Sequence, residues 1–261
     1  MMTILENIIT HKRKELDALM KHITYKDLER NIYFSRKTTS LVKSLSDCLR
    51  SNIIAEFKRM SPSKGTINSE ARIGEVAEGY THAGASGLSI LTDRKFFGGS
   101  PDDLLLAREL THIPILRKDF IIDEFQVIQS KSIGADVILL IAAALKKDQV
   151  SKLAKLSHSL GLEVILEIHS RNELDFLCEY IDIVGVNNRD LKSFEADINI
   201  SVALADEIPG QFLKIAESGI SSPFTVKHLQ QLGYNGFLIG ELFMKRRDPV
   251  SAFSDFIKEI S

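Results

Sequence analysis

Six charged residues stand at or just beyond the ends of short apolar runs: Glu56 and Lys58 in IIAEFKRM, Lys118 in ILRKDF, Glu167 in VILEIHS, Arg189 in VGVNNRD and Glu217 in KIAESG. Asn187 precedes Arg189 by two positions. Carboxylates interleaved with ammonium groups are equipment for proton transfer, since one accepts a proton and the other donates it. The set is formally neutral, yet Lys58, Lys118 and Arg189 offer three cations to an anionic ligand. Seven histidines are present and none has the spacing of a metal pair. His169, two positions after Glu167, reads as a supporting or solvent-facing residue.

These groups can cooperate only if the chain carries them to one place. Four times a helix-like stretch ends at a glycine and runs into a β-rich apolar segment: HAGASGLSIL, SIGADVILLI, SLGLEVILEI and QLGYNGFLIG. Gly84, Gly134, Gly161 and Gly233 fit the left-handed position that closes a helix. Their separations of 50, 27 and 72 divide into units of about 25 residues, the length of a strand plus a helix. Apolar runs bounded by turn residues then place strands at 53–57, 88–91, 114–118, 137–141, 164–168, 183–186, 213–216 and 236–239. Eight alternating units suit an α/β fold of the closed (β/α)8 TIM-barrel type better than an open sheet. The first 50 or so residues are an added helical extension, beginning with an amphipathic helix on which Ile4, Leu5, Ile8, Ile9 and Leu16 share a face. No linker divides the chain, so residues 1–261 read as one domain.

Alternate residues of a barrel strand point inward. If Ile54, Glu56 and Lys58 form the inward set of the first strand, the same parity carries Lys118, Glu167, Asn187, Arg189 and Glu217 to the C-terminal mouth, where enzymes of this fold keep their active sites. Ion pairs that merely plug the mouth are a poor alternative, given what buried charge costs. The loops after the last two strands, AESGISSP (216–223) and IGELFM (239–244), bring Ser218, Gly219, Gly240 and Glu241 to the usual phosphate position of the barrel. A short helix opening at Glu241 would add its N-terminal dipole.

Composition narrows the class. The chain has 261 residues, 33 basic against 35 acidic, 44% hydrophobic and 26% charged, which argues against disorder and against a polyanion-binding surface. The longest apolar run, 137–145, is far short of a membrane span. The two cysteines, Cys48 and Cys178, match no metal spacing and fit a reducing compartment. The expectation is a cytoplasmic protein with no nucleic-acid or membrane partner and no metal.

IIAEFKRMSPSKG (53–65), ILRKDFIIDEFQV (115–127), LEIHS (166–170), VGVNNRDLKSFEADI (184–198) and AESGIS (216–221) together resemble, in order, the blocks of the indole-3-glycerol-phosphate synthase family of tryptophan biosynthesis. The resemblance spans essentially the whole chain. Met60 departs from the small or basic residue usual before Ser-Pro, and GELFM replaces the commoner GESLM, which removes a serine near the phosphate. The resemblance implies ring closure, decarboxylation and dehydration of 1-(2-carboxyphenylamino)-1-deoxyribulose 5-phosphate without a cofactor. It implies Lys118 as the acid, with neighbouring cations and partial burial lowering its pKa, and Glu56 holding a lysine. It further implies Lys58 on the anthranilate carboxylate, Glu167 as the base, Asn187 on the ribulose hydroxyls, and Arg189 and Glu217 in support, and it leaves open whether Lys58 is also an acid in dehydration. Phe97 and Phe120 would flank the anthranilate ring, as packing groups or direct contacts; Ser61 in the Ser-Pro-Ser-Lys-Gly loop, 59–67, is placed either to donate to the substrate or only to cap the local turn, in a segment able to move over the site. The small-molecule substrate, a monomeric state, and association with other tryptophan-pathway enzymes as an open option complete the expectation, with no phosphoribosylanthranilate isomerase domain following the eighth helix. A phosphosugar isomerase or a Schiff-base aldolase, or a noncatalytic sugar-phosphate barrel, would share the phosphate loops but not the set Lys118, Glu167 and Asn187.

Overall fold

A computed structural model describes residues 2–47, 49–190 and 194–260; Cys48 lies outside them. Eight parallel strands close into a barrel: β1 Ile53–Phe57, β2 Gly87–Leu91, β3 Ile115–Lys118, β4 Val137–Ile141, β5 Glu163–Ile168, β6 Ile183–Asn187, β7 Leu213–Glu217 and β8 Gly236–Ile239. Each neighbours the next in sequence, and β8 returns to β1. The expected strands are all present, with ends displaced by at most one residue. Gly84, Gly134, Gly161 and Gly233 have φ of +93°, +90°, +74° and +82°, so each supplies the left-handed turn that feeds a strand. The 169–182 connection departs from the expected pattern of α-helices: it is too short for one with two loops, and it forms a 3₁₀ segment at Arg171–Phe176.

Strand parity divides the core in two. On β1, Ile53, Ala55 and Phe57 pack outward with helix residues such as Tyr80 and Phe253. Ile54 points inward with Leu116, Leu139, Ile165, Ile215 and Leu238. The inner cluster ends in charged side chains at the C-terminal mouth and in an apolar plug at the other end.

That plug belongs to the N-terminal extension, which comprises α1 Ile4–Leu19, α2 Tyr25–Glu29 and α3 Leu41–Leu45. Thr3 caps α1 in a capping box with Glu6. Leu41 and Leu45 of α3 join the inner cluster, and a Cβ at Gly87 or Gly236 would lie 2.8 or 2.7 Å from their methyl groups. Two carboxylates, Asp136 buried and Glu163 half-buried, fasten the extension: Asp136 accepts from Arg36 at 2.5 Å, Arg108 at 2.8 Å and the Thr39 N–H at 2.7 Å, and Glu163 accepts from the Leu41 and Val42 N–H groups at 2.8 and 3.1 Å.

Helix α4 Ile73–His82 connects β1 to β2, and α5 Arg94–Phe97 and α6 Pro101–Leu110 follow β2. The first βα loop is more ordered than its composition implies. Met60–Ser61 and Gly65–Thr66 form an antiparallel hairpin, tied by the Arg59–Asp103 pair at 2.6 Å and by Asn68 donating to the Met244 carbonyl at 3.0 Å. Met60 covers Gly98, where a Cβ would stand 2.9 Å from its Cγ; the unusual residue fills the space between two active-site loops. No helix among the described residues is long and apolar enough to cross a membrane.

Candidate active site

The strand register brings the predicted groups to one level. Leu91 pairs with Lys118, Ile141 with Glu167, and Asn187 with Glu217. Above them opens a cavity of about 790 Å³, lined by all the predicted groups, including Ser61, Phe97, Phe120, Ser218, Gly219, Gly240 and Glu241. Its size is that of a small-molecule site.

Lys118 Nζ lies 3.1 Å from Glu167 Oε2 and also donates to Glu217 Oε2. Burial alone would lower the pKa of this lysine, but the carboxylates of Glu217, Glu167 and Glu56 outweigh it and hold the pKa above the ordinary lysine value. This reverses the expected direction. The expectation placed cations around Lys118, whereas the fold surrounds it with carboxylates and engages Lys58 elsewhere: Lys58 Nζ binds Glu56 Oε1 at 2.6 Å. The lysine that Glu56 holds is therefore Lys58.

The two carboxylates on Lys118 differ. Burial raises Glu167, but Lys118, His169 and the Asn187 amide, donating at 3.1 Å, leave it below the usual value and ionised. Glu217 is pushed up to about 7 by burial, with Glu167 and Glu56 adding repulsion against the pull of Lys118. Its Oε1 is buried without a hydrogen-bond partner among the described residues. Gly185 makes room for it, since any Cβ there would collide with that oxygen.

Asn187 points its amide at Glu167 and accepts the Arg189 N–H at 3.0 Å, so it holds the neighbouring carboxylate and loop. Of the two places open to His169, supporting or solvent-facing, the structure gives the supporting one: its Nε2 lies 3.4 Å from Glu167 Oε1, and its pKa is raised because Glu173 and Glu167 outweigh the lowering effect of burial. Phe97 and Phe120 face one another with ring centroids 6.0 Å apart. Ser61 is buried with its Oγ 3.4 Å from that of Ser63.

At the other end of the cavity Ser218 and Gly219 take successive left-handed conformations, φ +63° and +71°. Gly240 abuts Glu56, whose Oε1 would be 2.6 Å from a Cβ there. The helix after it, Glu241–Met244, is a single turn. Glu241 draws in Arg189 at 3.5 Å and Lys64 at 4.0 Å. Lys64 is a cation that sequence reasoning passed over. Leu242, where a serine was the commoner residue, also lines this end, so the groups here that could meet an anion are backbone N–H groups and these cations.

Comparison with known proteins identifies the family of the chain. The profile of the family described as indole-3-glycerol phosphate synthase matches residues 5–256. An indole-3-glycerol phosphate synthase of Bacteroides thetaiotaomicron is 49% identical over 260 residues, covering 100% of both chains. The chain belongs to the indole-3-glycerol phosphate synthase family. Indole-3-glycerol phosphate synthases of Neisseria meningitidis and Acinetobacter baumannii are 40% and 38% identical over 97% of this chain and 98% and 94% of theirs. Membership makes the chain a carboxy-lyase of tryptophan biosynthesis. Among solved structures, a 3-hexulose-6-phosphate synthase covers 80% of this chain and 99% of its own with TM-score 0.63 at 13% identity, which speaks for the barrel fold alone. Among the described residues no cluster of His, Cys, Asp and Glu is arranged to hold a metal ion.

One carboxylate of the chain, that of Asp119, directly follows Lys118 in sequence. Asp119 accepts from Lys12 at 3.0 Å, Arg117 at 3.1 Å and Thr92 at 2.5 Å. Burial would raise its pKa, but Lys12 and Arg117 outweigh burial and lower it to about 2. A carboxylate depressed in the folded state stabilises the fold above its unfolded pKa, and that stability disappears as pH falls through the folded value. Urea unfolding should therefore show wild-type stability falling between about pH 4 and pH 2 by up to ~2 kcal/mol more than that of Asp119→Asn. Equal slopes for the two proteins in that window would contradict the assignment.

Proposed function

We propose that the chain closes the indole ring of 1-(2-carboxyphenylamino)-1-deoxyribulose 5-phosphate with Lys118 as proton donor and Glu167 as the base of the final elimination. The observation that carries this reading is the Lys118 ammonium ion-paired with two buried carboxylates, Glu167 and Glu217, on the cavity floor. The anthranilate ring lies against Phe97 and Phe120, and its carboxylate meets Lys58. The phosphate takes the Ser218–Gly219 and Gly240 backbone, with Arg189 and Lys64 beside it.

The carboxylate-bearing ring carbon attacks the ribulose carbonyl, and Lys118 delivers a proton to the oxygen as it becomes a hydroxyl. The high pKa of Lys118 keeps it charged throughout the neutral range, and an alkoxide is far more basic than any lysine, so the transfer runs downhill. The same ammonium stabilises the developing negative oxygen before the proton moves. Closure leaves an iminium in the ring, and loss of carbon dioxide returns the bonding electrons to it and restores the aromatic sextet. Lys58 then protonates the departing hydroxyl, and Glu167 removes a proton from the carbon beside nitrogen in the new ring. Carbon dioxide and water account for every atom lost, with no net oxidation or reduction. Asn187 and Glu217 keep Glu167 and Lys118 in place.

A cytoplasmic monomer acting on a free small molecule is the form we propose, in keeping with the free thiol of Cys178. The test is an assay in buffer containing a chelator and no nicotinamide. The substrate should give indole fluorescence at a steady rate, over a low background because the chain has no Trp; absence of a signal would sink the reading. Borohydride should trap no adduct, and a covalently modified lysine would favour an aldolase mechanism instead.

A further inference from the structure

We propose that Lys12, in the N-terminal helix, is a positioning residue for catalysis: it sets the distance between the two phenylalanine-bearing turns and fixes the backbone behind Lys118. The inference rests on the assignment of Lys118 as the proton donor and of Phe97 and Phe120 as the aromatic slot.

Lys12 occupies the buried face of α1, between Ile8 and Leu16, and is only 2% exposed. An ammonium in that stripe is a costly way to dock a helix, because a well-packed apolar residue commonly does as well or better. Its contacts give it another purpose. Nζ lies 2.9 Å from Asp93 Oδ2 and 3.0 Å from Asp119 Oδ1. Asp93 follows β2 and caps α5, accepting from the Phe96 N–H at 2.8 Å; Phe97 is the next residue. Asp119 follows Lys118 and accepts from the Phe120 N–H at 2.8 Å. One cation thus grips both turns from which the facing rings project.

Two further features tie the helix to the site. His11 packs edge-on against Phe96 with ring centroids 5.8 Å apart, reinforcing the hold on α5. Ile4, Leu5 and Ile8 of the same helix line the substrate cavity. The buried charges balance as Lys12 and Arg117 against Asp93 and Asp119, while Glu15, which also binds Lys12 at 3.0 Å, is 40% exposed at its side chain and can be hydrated. Among the described residues Lys12 is the cation that Asp93 pairs with. Without it, two carboxylates at the foot of the slot repel one another, and the turns that carry Phe97, Lys118 and Phe120 lose their common anchor.

Steady-state kinetics on the folded enzyme test this, using the carboxyphenylamino-deoxyribulose phosphate as substrate. Lys12→Met should lower kcat by ~10- to 10²-fold, the scale of an ångström of misplacement, and raise KM. Lys12→Arg, which keeps the cation, should recover most of both losses. Leu16→Ala loosens the same helix through a separate cluster with Leu28 and Phe125; it should lower the melting temperature while keeping wild-type kcat and KM. Wild-type constants for Lys12→Met overturn the proposal, as do losses in Leu16→Ala equal to those of Lys12→Met. If Lys12→Met does not fold, Asp93→Asn decides: a raised KM supports the proposal and a wild-type KM refutes it. Retained turnover in Lys118→Met would instead refute the reading of the site, whatever Lys12 does.

Discussion

Lys118→Met is expected to lower kcat by ~10²- to 10⁴-fold, the usual contribution of a positioned general acid, which corresponds to ~3–5 kcal/mol of transition-state stabilisation. Methionine keeps most of the length and the apolar stem but carries no proton. The ammonium also balances Glu167 and Glu217 in a buried site, so the variant exchanges a compensated cluster for two unpaired carboxylates. They have a route to relief, because Glu217 already lies near pH 7 and can take up a proton. The variant should consequently fold, with a normal circular dichroism spectrum, and still bind substrate through the phosphate loops and the aromatic slot. A fall in kcat with a modest change in KM is the signature of an interaction made chiefly in the transition state. Turnover close to wild type would remove Lys118 from the role.

Glu167→Gln is the second large effect. Glutamine retains the shape and an oxygen for the Asn187 amide, now 3.1 Å from Glu167 Oε1, but it cannot accept a proton from carbon. Turnover should fall by ~10²- to 10⁴-fold, and the block should come late. Closure and decarboxylation need Lys118 and the iminium, so they should still occur, while elimination of water stalls. Deuterium on the substrate's exocyclic methylene, the carbon that loses a proton in that step, should slow indole formation more in this variant than in wild type. An isotope effect no larger than the wild-type value would argue against Glu167 as the base.

Much of this arrangement could be read from residue order. The glycines at 84, 134, 161 and 233 marked the helix-to-strand joints because a left-handed turn is cheap there for glycine alone. Parity then carried Glu56, Lys118, Glu167, Asn187 and Glu217 to one face, since a side chain two residues along a strand returns to the same side. What escaped was set by contacts distant in sequence. Lys12 sits at helical spacing between Ile8 and Leu16, and its burial follows from Asp93 and Asp119, which only folding brings to it. The sign of the Lys118 shift failed for the same reason: a strand pattern names the groups at the mouth but not which pairs touch. Cations were expected beside Lys118, whereas Lys58 binds Glu56 and carboxylates surround Lys118. His169 stands two positions after Glu167 and so shares its parity, but that its ring meets the Glu167 and Glu173 carboxylates is a matter of contacts that residue order does not name.

Glu217 shows the same limit in its environment. Its charge could be listed among six, but its rise to about 7 depends on complete burial and on two other carboxylates. The division between an ionised Glu167 and a readily protonated Glu217, both bound to one ammonium, is a property of the folded cluster. Pairs of titratable groups driven apart in this way commonly mark a division of acid and base duties.

Single-turnover release of carbon dioxide from substrate labelled in the carboxyl group, followed beside indole formation in Lys118→Met and Glu167→Gln, separates the two roles most directly. With Lys118 as the acid of closure and Glu167 as the base of elimination, Lys118→Met should release neither product at an appreciable rate, and Glu167→Gln should release carbon dioxide well ahead of indole. Carbon dioxide release from Lys118→Met at the wild-type rate, or release in step with indole from Glu167→Gln, would contradict that division.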